Sequence, residues 1–482
     1  MIHRTQALNE TVHALSCKTK CEPHLSEVRS PRIRWGHLSK DFSFLPLSRV
    51  GPCRYGQTNI GCRFCVLDLE EPQIDKSYII LYAPESFMKC AFLSREIFAG
   101  GGERVTLNTI RLFRQMGIES SIFTLKTTDS IFTPGDATGL MLQFPHTKRL
   151  FASENLRFLV EKIKEQDIKV LFLIGWGGTY EALATVKAET DVCLVHWEHN
   201  APLYRFTAKR AGAAHRANDS LPKWLEWQTI GKLKYVYTPL GLWREFKAYR
   251  TRLQQVDRYI VLCDGFKEEI CEMLRLADDK KNLIVPMYNT IELPRETVTV
   301  KDKQIIYMGR LTYPDKRVDR LVEVWRRVHE QLPDWRLDIY GDGPERTNLQ
   351  TLIDRYRLPR ISLSGYVEHP ASIYRQAAVL CMTSTSEGYP MAMIEAQSHG
   401  VVPLAFECCS GMRSIIGADQ RAGVLVPPFD LDTYATQLVS LCRDEGRRAE
   451  LQEGAIRKSL DYAHHTNIPH WHRFFASLGL EV

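Results

Sequence analysis

From Ser77 onward the chain alternates short apolar runs with longer stretches of helical spacing. SYIILYA (77–83) opens the series, followed by GGGERVTLNTIRLFRQMG (100–117). In that stretch Val105, Leu107, Ile110, Leu112 and Phe113 recur at roughly helical spacing, and Gly117 is the natural stop. ESSIFTL, IKVLFLIG, DVCLVHW and DRYIVLC are further strand candidates. A second series starts near Lys301, with strand candidates QIIYMG, WRLDIYG, RISLSG, AAVLCMT, VVPLAF and AGVLV and helical patterns between them. Strands alternating with helices predict parallel, doubly wound sheets, so the chain is read as two α/β domains in tandem. The polar stretch Leu293 to Lys301 is the expected boundary. Ligands of such sheets sit outside the carboxyl ends of the strands, so two facing domains would share a cleft. Residues 1–76 read as an irregular extension, with Pro, Ser, Arg and five cysteines but little periodicity.

Composition narrows the class. At 482 residues, 44% apolar and 25% charged, the chain fits a soluble globular protein of two or three domains. It has no apolar run near 18 residues and no apolar signal region at its start, so a cytoplasmic location is expected. The 13 cysteines are scattered, and Cys193, Cys263 and Cys381 fall in apolar runs, which favours reduced core thiols. Cys53, Cys62 and Cys65 form a single C-x8-C-x2-C, with Cys17 and Cys21 upstream. A zinc site calls for four ligands, usually as two pairs, so an extension without metal is the favoured reading. The net charge of +6 is concentrated: Tyr204 to Arg258 holds 12 Lys/Arg against 4 Asp/Glu, interleaved with Trp224, Trp227, Tyr235, Tyr237, Trp243, Phe246 and Tyr249. Such a segment suits anionic lipid, a phosphorylated acceptor or nucleic acid. The competing reading is a solvated helical hairpin with its aromatics packed inward.

Three stretches could carry chemistry. In YMGRLTYPDKRVDRL a strand ends at Gly309, Arg310 follows, and Lys316 stands where the next helix begins. Two cations beside helix N–H groups make a phosphate site, although Arg317 and Arg320 make surface charge an alternative. GGGERV lies in the first strand-to-helix connection of the other domain. It is neither G-x-G-x-x-G nor a P-loop, so dinucleotide binding is not supported. SEGYPMAMIEA places Glu387 and Glu395 eight residues apart, about 80° on a continuous helix. Gly388 and Pro390 break that helix. Glu387 then belongs to the loop after AAVLCMT, with Pro390 at the first helical position and Glu395 in the second turn, facing cleft or solvent. FDLD (429–432) looks like a D-x-D metal motif but sits at a helix start, so Asp430 or Asp432 is read as a cap.

Together these stretches resemble the family-4 glycosyltransferases, retaining sugar-nucleotide enzymes of the GT-B fold. The E-x7-E signature is Glu387 to Glu395, the GRL…K element is Gly309, Arg310, Leu311 and Lys316, and GGGERV resembles the family's GGAERV with Gly102 in place of Ala. YGDGPE, LSGYVE, PLAFECCSG and GVLVPP follow in order, so the resemblance covers about residues 77 to 475. It implies an N-terminal acceptor domain over 77–297, a nucleotide-binding domain over 298–465, and a C-terminal helix in 466–482 packing back on the first. It also implies site roles. Glu395 would bind the ribose hydroxyls and Glu387 would lie beside the donor sugar. Backbone groups at Gly388, Met391 and Ala392 would meet sugar and distal phosphate. Arg310 and Lys316 would hold the diphosphate, approached by Gly100 and Gly101. CLVHWEHNAP offers His196 or His199 near the transferred sugar, and the EHN context favours His199. The SGMRSII stretch departs from the family's SGPREII, with Met412 and Ser414 replacing proline and glutamate.

The implied function is hexosyl or N-acetylhexosaminyl transfer from a UDP-sugar to a glycan or lipid-linked acceptor in cell-surface polysaccharide synthesis. The family works without a metal or other cofactor, so none is expected, and neither is a nucleic-acid partner. Peripheral membrane contact through 204–258 is expected. The alternatives are a non-catalytic GT-B nucleotide-binding protein and a GT-B sugar-nucleotide epimerase.

Overall fold

The computed structural model describes residues 50–57, 63–69, 79–82, 88–95, 101–126, 141–174, 180–216, 220–233 and 240–482. Two units divide the chain, Met1–Glu85 and Ser86–Val482. The first contains an antiparallel sheet, β1 (Val50–Gln57), β2 (Arg63–Leu69) and β3 (Ile79–Tyr82), in that order.

The second unit contains two parallel sheets. One has seven strands: β4 (Met88–Leu93), β5 (Ile118–Thr124), β6 (Met141–Gln143), β7 (Ile168–Ile174), β8 (Cys193–Trp197), β9 (Arg258–Val261) and β10 (Ile284–Pro286). Their order is β10-β9-β8-β7-β4-β5-β6. The other comprises β11 (Gln304–Met308), β12 (Arg336–Tyr340), β13 (Ile361–Gly365), β14 (Val379–Met382), β15 (Val402–Phe406) and β16 (Val424–Val426), ordered β13-β12-β11-β14-β15-β16. Each order reverses at its first strand. The reversal leaves crevices between β4 and β7 and between β11 and β14, where such sheets bind ligands. The central strands are buried on both faces: Val170, Leu171, Phe172 and Leu173 of β7 and Val379, Leu380 and Cys381 of β14 are inaccessible. This is why they read as continuous apolar runs.

Nine helices matter to the site: α1 (Gly101–Gln115), α2 (Tyr204–Arg216), α3 (Asp264–Leu274), α4 (Val318–Val328), α5 (Ala371–Gln376), α6 (Met391–Ser398), α7 (Ser410–Ile416), α8 (Leu431–Arg443) and α9 (His464–Ser477). α1 buries Val105, Ile110, Leu112 and Phe113. The chain's last helix, α9, returns to the seven-stranded half. Trp471 packs edge-on against Phe113 at 4.7 Å between centroids, and Phe474 stacks on Phe172.

Two sequence expectations are corrected. SYIILYA does not open the seven-stranded sheet: β3 pairs antiparallel with β2, and the opening strand is β4. Both runs are short and apolar, and periodicity cannot say which sheet such a run joins. Residues 1–76 are not irregular throughout, because β1 and β2 lie within them. The expectations for Cys17, Cys21 and Cys62 lie outside the described residues, while Cys53 and Cys65 fall in β1 and β2. Later cysteines, from Cys90 to Cys442, are free thiols; Cys263 and Cys381 are buried as expected for core residues, whereas Cys193, at the start of β8, is only half-buried.

Candidate active site

β11 ends at Met308, and its loop carries Arg310 and Lys316 toward the crevice. Arg310 is 65% exposed and reaches the Asp315 carboxylate at 3.4 Å. Asp315 is held in place by the Thr312 hydroxyl and, across the cleft, by the Tyr204 hydroxyl at 3.2 Å. A cavity of about 410 Å³ opens here, lined by Tyr204, Lys209, Gly212, Arg310, Thr312 and Asp315. Lys316 turns inward instead. Its ammonium donates to both oxygens of Glu387 at 2.7 Å, and Glu387 is 5% exposed. The Ser384 hydroxyl donates to the same carboxylate at 2.6 Å. One cation from the β11 loop and one carboxylate from the β14 loop therefore meet over the β11/β14 crevice.

Glu387 lies in the loop, as the break at Gly388 and Pro390 predicts. Pro390 stands one residue before its expected place: it is the cap, with φ −65° and ψ 116°, and α6 begins at Met391. Met391 and Ala392 thus form the first turn, whose N–H groups have no partner within the helix. Glu395 faces the cleft and is largely buried. Its oxygens accept from Arg104 Nη1 at 3.1 and 3.2 Å and from the Tyr374 hydroxyl at 3.2 Å. Burial raises its pKa, and Arg104 opposes the rise.

From the seven-stranded half, the loop after β8 comes down onto this site. Asn200 pairs with Gly388 in a short bridge. A Cβ on Gly388 would stand 2.2 Å from the His199 carbonyl oxygen, and one on Gly411 would stand 2.1 Å from the Gly388 carbonyl oxygen. These are contacts that only glycine permits. The two candidate histidines separate cleanly. His196 is fully buried, bonded to the Tyr180 hydroxyl and 3.5 Å from Glu198, inside a cluster that includes Arg252 and Tyr259. His199 stacks on Trp197 at 5.1 Å, and both its ring nitrogens are buried with no hydrogen-bond partner. Burial pulls its pKa down to about 4, so the ring is neutral at neutral pH. Buried, unpaired ring nitrogens are rare in a folded protein, and the backbone of the same residue lies against Gly388.

The structure therefore brings Arg310, Lys316, Glu387, Gly388, Met391, Ala392, Glu395 and His199 to one cleft. Gly100 lies outside the described residues, and Gly101 is the first residue of α1. Met412 is buried in α7, and Ser414 meets the Tyr389 hydroxyl at 3.3 Å. Asp430 caps α8 by accepting from Thr433 N at 3.0 Å, and Asp432 pairs with Arg327. No group of three or more metal-ligating side chains occurs among the described residues. Sequence reasoning passed over Arg104, Tyr374, Ser384 and Tyr204. Arg104 did leave a signal: it is a cation near the start of α1, where the helix dipole disfavours positive charge. Gly102 has open space around it, with nothing within 4 Å of an added Cβ. Gly102→Ala is accordingly expected to leave turnover unchanged and to raise stability by up to about 1 kcal/mol, read from the thermal midpoint.

Comparison with known proteins gives matches over most of the chain. Residues 99–290 match the family described as Glycosyltransferase Family 4, and residues 290–458 match Glycosyl transferases group 1. The amylovoran biosynthesis glycosyltransferase AmsD of Erwinia amylovora is 31% identical over 229 residues, covering 44% of this chain and 63% of that protein, so the chain spans less than two thirds of that relative. An uncharacterized glycosyltransferase of Haemophilus influenzae is 23% identical across 77% of this chain and 95% of its own. Among solved structures, the pneumococcal O-GlcNAc transferase GtfA, in complex with UDP and GlcNAc, superposes with a TM-score of 0.61 at 14% identity, over 82% of this chain and 99% of that one. The two parallel sheets are those of the GT-B fold, as expected from the sequence.

Proposed function

Since the chain belongs to the family-4, group 1 glycosyltransferases, we propose that it transfers a hexosyl or N-acetylhexosaminyl group from UDP to a glycan or lipid-linked acceptor, with retention. The setting we propose is cell-surface polysaccharide synthesis, in keeping with the amylovoran role carried by the name of its Erwinia relative. The observation that carries this reading is the buried Lys316–Glu387 pair, set at the β11/β14 crevice with Glu387 in the loop whose Gly388 meets the His199 backbone.

The chemistry follows from the charges. As the anomeric C–O bond breaks, negative charge builds on the leaving diphosphate and positive charge on the sugar. Lys316, Arg310 and the first turn of α6 supply fixed positive potential for the diphosphate. Glu387 lies beside the sugar as the balancing anion, and His199 offers a neutral ring whose free nitrogens suit a sugar hydroxyl. Glu395 accepts the ribose hydroxyls. The leaving phosphate itself takes the acceptor's proton on the same face, so no side chain is needed as base.

A panel of sugar nucleotides tests the reading through thermal unfolding. A UDP-hexose or UDP-N-acetylhexosamine at about 100 times its Kd should stabilise the protein by about 2.7 kcal/mol. No stabilisation by any nucleotide sugar would sink the reading. Binding with neither transfer nor hydrolysis would favour the non-catalytic alternative. Sugar-nucleotide isomerisation without an acceptor would favour the epimerase. Glu395→Gln should weaken UDP by roughly 10- to 100-fold, the worth of charge-assisted hydrogen bonds, and calorimetry reads that directly.

The acceptor side carries a further feature. Leu221, Trp224, Leu225, Ile230 and Trp243 are exposed, whereas Phe206 and Tyr249 are buried. Lys247 lies over the Trp243 ring at 5.7 Å. Exposed indole and leucine beside lysine suit an anionic lipid surface, and no helix among the described residues is long and apolar enough to cross a membrane. Peripheral contact therefore belongs to the proposal. Trp224→Ser with Leu225→Ser should reduce co-sedimentation with anionic vesicles while leaving UDP affinity unchanged, and unchanged sedimentation would remove the contact.

A further inference from the structure

Arg104 stands on α1 of the seven-stranded half, and Glu395 stands on α6 of the six-stranded half, 291 residues away. One guanidinium nitrogen bridges both carboxylate oxygens, at 3.1 and 3.2 Å. The side chains are 37% and 15% exposed, so the pair is only partly shielded from water. Tyr374 of α5 completes the carboxylate's partners from the other side. The family resemblance includes this arginine in GGGERV, but the roles given above to the site residues leave it without one. It is not a phosphate ligand in the arrangement seen, and its position near the start of α1 is electrostatically unfavourable.

We propose that Arg104 is a positioning residue of the donor site: its guanidinium reaches across the cleft and keeps the Glu395 carboxylate charged and aimed, with an acceptor position open to a ribose hydroxyl. The proposal rests on the ribose role given above to Glu395. A carboxylate has four acceptor positions; the bridging Arg104 nitrogen and the Tyr374 hydroxyl take three, which leaves one open on Oε1. A protonated Glu395 would lose that capacity, because one oxygen would become a donor.

The direction of any pH effect follows from the surroundings. Burial pushes Glu395 toward the neutral form, and the nearby Arg104 charge pushes back. Tyr374 faces the carboxylate as a neutral phenol whose own pKa is raised by burial. Tyr366 lies near Arg104. Behind the carboxylate, the His399 ring bonds the Glu395 carbonyl oxygen at 2.8 Å, and Lys301 and Arg375 face His399. Removing Arg104 takes away the charge that favours ionised Glu395. Its pKa then rises further, and the loss of function is greatest at low pH.

The test compares UDP with 2′,3′-dideoxy-UDP by calorimetry on the full chain between pH 6 and 8.5. Phosphate titration is common to both ligands and cancels in the ratio of their affinities, and His399 is common to both proteins. The natural protein should prefer UDP by roughly 10- to 100-fold across the range. Arg104→Met should prefer UDP at least about threefold less than the natural protein does, with the deficit widening toward pH 6, while Arg104→Lys should stay near the natural protein. An Arg104→Met protein whose preference equals the natural one at pH 6 overturns the proposal. So does one whose affinity for both nucleotides falls equally at every pH, which is what a purely structural contact would give. If the natural protein itself binds both nucleotides alike, the ribose role of Glu395 fails and this proposal with it. Arg104→Lys guards against misfolding, since it keeps the charge with a different shape.

Discussion

Lys316→Ala is expected to lower turnover of a UDP-hexose by roughly 10²- to 10³-fold, the usual cost of removing one fixed charge from a transition state that concentrates charge at one atom. The fall should lie mainly in kcat, because the leaving phosphate gains charge as the glycosidic bond breaks. The structure adds a complication. Lys316 is bonded to both oxygens of Glu387, which is buried. The alanine variant leaves that carboxylate without its counter-ion, and breaking such a pair costs stability of about 3–5 kcal/mol. Stability and catalysis must therefore be separated. The double variant Lys316→Met with Glu387→Gln removes both charges and should recover much of the thermal midpoint. It should recover none of the turnover. Turnover of Lys316→Ala within about threefold of the natural protein, far short of the roughly 10²-fold expected, would end the phosphate-clamp reading.

The legibility of this site in the sequence follows from chain distance. Arg310, Lys316 and Glu387 belong to strand-to-helix loops of a strongly periodic half, so a strand assignment is enough to bring them to one edge. The break at Gly388 and Pro390 moves Glu387 off the helix, and the structure agrees apart from one residue at the cap. The environment of Glu395 was not legible in this way. Helical spacing leaves it facing either solvent or cleft, and the choice is settled by Arg104 and Tyr374, of which the first lies 291 residues away. Pair contacts across a cleft leave no periodic trace. The histidines show the same limit. His196 and His199 are three residues apart, and only the surrounding Tyr180, Glu198, Arg252 and Tyr259 distinguish the partnered ring from the unpartnered one.

Strand assignment held for SYIILYA, but the sheet it was assigned to did not. SYIILYA is richer in β-branched and aromatic residues than MKCAFL, yet MKCAFL is the one that enters the large sheet, where Cys90, Ala91 and Phe92 are inaccessible. Propensity describes fit to a half-buried pleat and does not choose the partner strand.

Gly388→Ala should cost about 100-fold in turnover with much less effect on the stability of either sheet. The added methyl would stand 2.2 Å from the His199 carbonyl oxygen and 3.0 Å from the Asn200 Cα. Both contacts are to backbone, which cannot rotate away as a side chain would. The two loops must separate by about 1 Å to restore ordinary carbon–oxygen contact, and displacement of that size at a reacting centre costs about 10²-fold. The bridge between Asn200 and Gly388 would be lost as well, which moves the His199 backbone away from the loop that carries Glu387. The folding cost is smaller, because the core around Ile305, Trp325 and Leu404 contains no residue from this contact. Gly102→Ala is the matched control, since it adds the same methyl at a glycine with open space around it. The pair should therefore diverge in rate far more than in thermal midpoint. If Gly388→Ala kept more than about a third of the natural turnover, where a 1 Å displacement should remove 10²-fold, the close approach of the two loops would have no part in catalysis, and the role given to His199 would fall with it.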